Sequence, residues 1–293
     1  MAGPVSPREV IERERRWARV ATFGAALPIV LFIASLFTRA AVDLPSDPLF
    51  PAFFRALDEA SGSWVASGVL QGIAMALMAI PLVYLFLAAS ARSGRVLKPL
   101  VGFCVIGPVL VGLQAGLTAM AQVDAASQFV DQSAGVGDIY TLASDLYDDS
   151  SLRTLANALG AGGALSLVFA MIYTSLWASR TGLVTRFYGT LGMGLGASLL
   201  FPPLLQLALP MLFLWFGYMA LIISGRLRKG RPPAWDAGEA VPWPTAGQEP
   251  VAAAGAGGGE IVEGDASEIP GVDENPNAAR RERAKRRKRK RRS

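Results

Sequence analysis

The sequence predicts an all-α fold: a polytopic transmembrane bundle of about six helices, followed by a disordered cytoplasmic C-terminal tail. Three observations predict it. Apolar runs free of charge are long enough to cross a bilayer, basic residues collect in every second connection, and the composition changes sharply after residue 225. Hydrophobic residues make up 52% of the 293-residue chain and charged ones 17%, a balance that points to lipid as the solvent. The net charge of +5 is a sum of unlike parts, because more than half of the 28 Lys and Arg lie in the last seventy residues.

Residues 1–19 form a basic N-terminus carrying Arg8, Arg13, Arg15, Arg16 and Arg19. A hydrocarbon core of about 30 Å takes roughly 20 helical residues, and the first run that qualifies is 20–37. Arg15-Arg16 before it and Ala40-Ala41 after it also fit a cleaved signal. The run exceeds the usual signal core, however, and Glu14 stands where a twin-arginine signal carries a hydroxyl, so the segment reads as a retained helix. The next runs are 64–89, 99–121 and 155–178, none with an ionisable side chain.

The fifth run, 187–224, is too long for one crossing and is interrupted by Pro202, Pro203, Gln206 and Pro210. The positive-inside rule decides how to read it. Arg92, Arg95 and Lys98 sit between the second and third helices, and Arg180 and Arg186 between the fourth and fifth. The connections on the other side hold only Arg39, Arg55 and Arg153, beside six aspartates from Asp124 to Asp149. A single crossing would place Arg226, Arg228, Lys229, Arg231 and the terminal basic block outside. A tight turn near Pro203 to Gln206 returns them to the cytoplasm and gives six helices, the last two at 187–204 and 207–224, in a domain spanning 20–225.

Lipid removes most of the hydrophobic drive between helices, so packing falls to small residues. Gly68 and Gly72, Gly112 and Gly116, Gly160 and Ala164, and Gly192 and Gly196 each share a helix face. They predict a compact bundle, with homo-oligomerisation through one such face as the second reading. Gln71, Gln114 and Gln206 are amides at membrane depth. Two amides facing one another would bond across helices; the alternative is the lining of a polar solute path. Pro28, Pro81, Pro108, Pro202, Pro203 and Pro210 kink the crossing runs, for shape or for a cavity. No acid or base lies inside a crossing, which argues against a proton-coupled pump.

The inner loops 90–98 and 178–186 share the pattern small, small, Arg, hydroxyl, Gly, any, Val, any, basic, which fits a duplication or the ordinary needs of a short inner loop. Arg92, Arg95, Lys98, Arg180 and Arg186 are placed to contact anionic lipid phosphates. In the first outer loop, Phe50, Phe53, Phe54 and Leu57 make the apolar face of a short surface helix, or of a lid over the bundle. In the second, Ile139, Leu142 and Leu146 form an apolar face, and Asp145, Asp148 and Asp149 a solvated acidic one without the pattern of an EF-hand.

The tail, 226–293, divides into an acidic stretch, 232–279, and a basic block, 280–292. The first has nine acids and no Lys or Arg, and the second has eleven basic residues and one acid. Rich in Pro, Gly and Ala, the tail reads as disordered, with Trp235 and Trp243 resting among headgroups. Each Lys or Arg near an acidic leaflet adds about 1 kcal/mol of attraction, so the block, with Arg286, Arg287 and Lys288 at its centre, is expected to hold anionic lipid. RNA, the ribosome or a partner protein are the alternatives, and no aromatic interleaves the block for base stacking.

Ser179-Arg180-Thr181-Gly182-Leu183-Val184-Thr185-Arg186-Phe187-Tyr188-Gly189, followed by a glycine-spaced helix, resembles a segment of uncharacterised six-helix integral membrane proteins of bacteria, of actinobacterial type. The resemblance spans roughly residues 20 to 225. It implies the bacterial inner membrane, with both termini cytoplasmic, and brings no activity, cofactor or site residues. With no histidine and a single cysteine, Cys104, inside an apolar run, there is no nucleophile and base to pair. A non-enzymatic membrane scaffold or assembly protein is therefore expected, and a permease for an uncharged or amphipathic solute is the alternative.

Overall fold

The computed structural model describes residues 6–43, 50–227 and 230–243, and every regular element among them is helical. Helix α1 runs Pro7–Ala40, thirteen residues further toward the N-terminus than the charge-free run. Its start is chemical rather than hydrophobic. Ser6 accepts from the Glu9 N–H, the Glu9 carboxylate accepts from the Ser6 N–H, and Pro7 fills the first helical position, where no N–H is needed.

After the short α2, Phe50–Glu59, the second crossing is built from α3, Ser61–Leu77, and α4, Ala79–Arg92. They part at Met78 because Pro81 has no N–H for the Leu77 carbonyl and its ring crowds that carbonyl. A 3-10 turn, Lys98–Leu100, leads into α5, Val101–Gln132; α6 is Ile139–Asp148 and α7 is Ser151–Arg180. The crossings built on α1, α3 with α4, α5 and α7 are long and apolar enough to span a membrane, and 208–224 is a further apolar helical stretch.

The last apolar run folds as a hairpin of unequal arms, α8, Arg186–Ser198, and α9, Pro202–Ser224. The turn expected at Pro203 to Gln206 lies instead at Leu199 to Phe201. Pro202 and Pro203 do not break a helix there. They begin one, since proline suits the first helical turn, whose N–H groups have no partner inside the helix. That the arms return on themselves is fixed by side chains: the Tyr188 and Tyr218 rings stack with centroids 3.3 Å apart, and the Trp215 indole N–H donates to the Tyr188 carbonyl at 3.0 Å. Thirteen residues give α8 a length of about 20 Å, short of a full crossing, whereas the 23 of α9 give about 34 Å.

Two apolar clusters form the core. The larger joins α4, α7 and α9 around Leu82, Phe86, Met171 and Phe216. The smaller lies at the end of the bundle rich in carboxylates, where Phe54 and Leu57 of α2 pack on Phe129 of α5 and Ala143 of α6. Phe54 meets Phe129 edge to face at 5.8 Å, and Phe53 meets Trp64 at 5.7 Å. Helix α2 is thus a lid on this end of the bundle. Of the acids beside it, Asp148 pairs with Arg153, whose guanidinium also lies 4.1 Å over the Tyr147 ring.

Asp138 caps α6 by accepting from the Thr141 hydroxyl and N–H, and these bonds hold its carboxyl below the usual carboxylate range. The folded pKa is depressed. The cap therefore contributes fully above the ordinary carboxylate range and is lost as pH falls through the depressed value. In a carbon-13 titration the Asp138 carboxyl should titrate below a reference aspartate, with the Thr141 amide shift following it. Asp138→Asn should keep the cap and abolish that dependence.

The opposite end of the bundle departs most from expectation. Residues 230–243, assigned to a disordered tail, form an ordered strap across it that contains a short helix, α10, Ala234–Ala237. The Trp235 indole donates to the Leu183 carbonyl at 2.8 Å and the Trp243 indole to that of Val184 at 2.7 Å. Gly238 sits against the Pro7 carbonyl, so the strap reaches α1 as well. Trp235 is buried rather than resting among headgroups. The remainder of the acidic stretch and the basic block, with Arg286, Arg287 and Lys288, lies outside the described residues.

Under the strap Arg92, expected at lipid phosphates, is fully buried. Its guanidinium donates to both carboxylate oxygens of Glu14, to the Ala88 carbonyl at 3.0 Å and twice to the Ala234 carbonyl, at 3.0 and 2.8 Å. The reason is geometric. Arg92 lies on the face of α4 turned toward α1, and a buried guanidinium needs a carboxylate and several acceptors. The two inner loops also differ. Gly182 has φ +79 and lies tight under the Val241 carbonyl, whereas Gly94 has no neighbour and no positive φ, so their common letters correspond to different backbones.

Candidate solute cavity

The glutamines expected at depth come together around an internal space. Gln71 is on α3 directly before Gly72, and Gln114 is on α5 between Gly112 and Gly116. Helices α3 and α5 cross in near backbone contact: a methyl on Gly72 would lie 2.5 Å from the Gly112 carbonyl oxygen. This crossing, and that of α5 on α7 where Gly107 meets the Leu167 backbone, fix three helices whose polar side chains turn into the gap between them.

The gap has a volume of about 450 Å³, within the range of small-molecule sites, roughly 300–1,000 Å³. Gln71, Gln114 and Thr118 supply polar lining, and Met75, Val111, Leu167, Leu209 and Leu212 supply apolar wall. Neither Gln71 nor Gln114 hydrogen-bonds to a described residue, so the cross-helix amide pair the sequence allowed is not formed. Gln114 rests on Gly160 of α7, where any Cβ would collide with its amide. Gly160 thus acts as a seat for a side chain rather than as a helix contact.

Three residues not singled out from the sequence complete the mouth. Arg39, at the last turn of α1, lies over the Trp64 ring with its guanidinium carbon 4.3 Å from the centroid. The Trp64 indole N–H donates to the Gln122 Oε1 at 2.8 Å. The signal available was Gln122 two turns beyond Gln114, on the face Gln114 defines.

The other expected positions are distributed as follows. Gly68 lines the cavity and packs on Ala119, Gly192 on Ser175 and Trp215, and Gly196 on Met171, while Gly116 has nothing within 4 Å. The side chain of Gln206 lies outside the described residues. Arg95, Lys98, Arg180 and Arg186 are exposed at the end that carries the strap. Arg186 donates to the Trp243 carbonyl at 3.0 Å, and Arg180 lies 5.4 Å over the Trp177 ring. Cys104 is buried with its sulfur 3.5 Å from the Thr174 hydroxyl. Among the described residues no group of three or more acids or cysteines is placed to hold a metal ion.

Fold and cavity together define a multi-pass helical membrane protein with a largely apolar pocket, lined in part by amides, inside its bundle. No family model, curated protein or solved structure matches the chain.

Proposed function

We propose that this chain is a non-enzymatic, multi-pass protein of the bacterial cytoplasmic membrane that takes a small solute into its central cavity from the outer side, as a permease does. The observation that carries this is the pair of amides, Gln71 and Gln114, that line the cavity without a hydrogen bond to any described residue. Glutamines that only bind helices together would pair, since an unsatisfied amide away from water costs about 1–3 kcal/mol. The strap end, with its arginines, is placed in the cytoplasm by the positive-inside rule, and both termini with it. The resemblance to six-helix bacterial proteins agrees with that location.

A second reading is favoured by the strap. By fastening Trp243 to the loop at Val184 and Arg186, it starts the remaining tail at the strap end. On this reading the chain is a scaffold or assembly protein whose basic block holds anionic lipid, with RNA, a partner protein or a second copy as other occupants. Removing residues 280–293 and measuring binding to anionic vesicles at two salt concentrations distinguishes it.

The permease reading is tested by thermal stabilisation of the purified protein against a panel of small amphiphiles, neutral and charged. A ligand at about 100 times its Kd stabilises by about 2.7 kcal/mol. The parent should respond to at least one member. Ala164→Trp, which fills the lining, should respond to none while remaining monodisperse, and Gln71→Leu with Gln114→Leu should weaken the response at least tenfold. A parent that responds to no member, or a filled variant that responds like the parent, would refute the reading.

A further inference from the structure

We infer that the cavity is selective for a small monoanionic amphiphile, with its anionic head on Arg39 and its hydrocarbon portion against the leucines of the wall; this rests on the solute reading above. Arg39 is the one charged residue among the described lining, and no acid shares the space with it. The stacking on Trp64 occupies one face of the guanidinium. It leaves the N–H groups, which lie in the guanidinium plane, without a hydrogen bond to any described residue. A guanidinium stacked in this way is oriented for a carboxylate in its plane.

The neighbours agree with that choice. Gln122 gives its oxygen to Trp64, which turns the amide so that its NH2 is left to donate. Gln71 and Gln114 each offer an NH2 donor beside an acceptor oxygen, so either can donate to an anion, and the sign of the preference comes from Arg39. The walls decide the rest. Apolar lining of low polarity strengthens the attraction of one charge for Arg39, but leaves a second charge on the ligand desolvated and unpaired. Leu167, Leu209 and Leu212 suit a hydrocarbon portion. The head of such a ligand sits at the mouth and its apolar part deeper, so the two halves match the two halves of the cavity.

The test places a thiol in the cavity and compares reagents of different charge. Gln71→Cys and, separately, Gln114→Cys are made in the full chain and reconstituted; the native chain, whose single thiol is buried, gives the background. Labelling rates are measured with neutral, anionic and cationic methanethiolsulfonates, each normalised to its rate with 2-mercaptoethanol. The anionic reagent should exceed the cationic one by about fivefold or more, as one uncompensated charge in a partly buried site produces, and Arg39→Gln should bring the ratio to near one. Octanoate should protect the introduced thiol from the neutral reagent, and octanamide should not.

Failure of the neutral reagent to label either cysteine would sink the cavity itself, and this inference with it. Ready neutral labelling with no anionic preference, or with a preference that survives Arg39→Gln, would overturn the inference and leave the cavity standing. Equal protection by octanoate and octanamide, or none by either, would overturn it as well.

Discussion

Arg92→Ala is expected to destabilise the protein by about 3–5 kcal/mol, because it strands the largely buried Glu14 carboxylate without its partner. The Arg92 side chain is wholly buried and that of Glu14 is 8% exposed, so solvent screening removes little of this cost. The guanidinium donates five hydrogen bonds, two of them to the strap carbonyl of Ala234. The loss should appear in unfolding of the purified protein. It should also appear as faster proteolysis after Arg231, since the strap loses its central contact.

The double variant Glu14→Leu with Arg92→Met separates lost attraction from stranded charge. Apolar replacement of both partners of a buried pair is often close to neutral. Here the Ala234 carbonyl is still orphaned, at a cost of about 1–3 kcal/mol. The double variant should therefore recover most, though not all, of what Arg92→Ala loses. An Arg92→Ala protein within about 1 kcal/mol of the parent would show that the strap and the pair contribute nothing.

This pair also shows where sequence reasoning stops. Glu14 stands among Arg13, Arg15 and Arg16, and nothing in composition separates a buried acid from a solvated one; only the helix face of α1 that meets α4 does. Arg92 sits in a short basic loop, where a lipid contact is the ordinary expectation. The strap was hidden for a related reason. Pro, Gly and Ala with two tryptophans read as a linker, and the carbonyls that order it belong to Leu183 and Val184, about fifty residues away. The crossings, by contrast, were legible because lipid imposes a length and forbids charge. Gln71 and Gln114 were legible as polar residues where polarity is costly. Arg39 was not, because an arginine at a helix end looks like any loop charge until Trp64 is found beneath it.

Gly72→Ala and Gly112→Ala are each expected to cost about 1–3 kcal/mol, whereas Gly116→Ala should be neutral or stabilise by up to about 1 kcal/mol. The pattern of small residues treats the three alike. The structure does not: a methyl on Gly72 meets the Gly112 carbonyl oxygen at 2.5 Å, a backbone atom in a rigid helix that cannot swing aside, and a methyl on Gly112 meets Gly72 in return. A methyl on Gly116 would meet nothing within 4 Å outside its own helix. Alanine there gains helix propensity without a clash. Unfolding of the three variants in one detergent checks the order, and equal losses at all three would contradict the crossing.

The same crossing bears on the cavity. Pushing α3 from α5 displaces Gln71 relative to Gln114, so Gly72→Ala should loosen the mouth even though it lies outside the lining.

The strap carries a last implication, for the order in which the molecule is made. A ribosome that has finished residue 229 has produced α1 to α9, yet not the piece that covers Arg92 and touches Pro7. Until then the first helix and the second crossing share a charged pair with no lid on it. The newborn protein is therefore sealed by its own late residues, and a message truncated just before them would release α1 to α9 with an open seam.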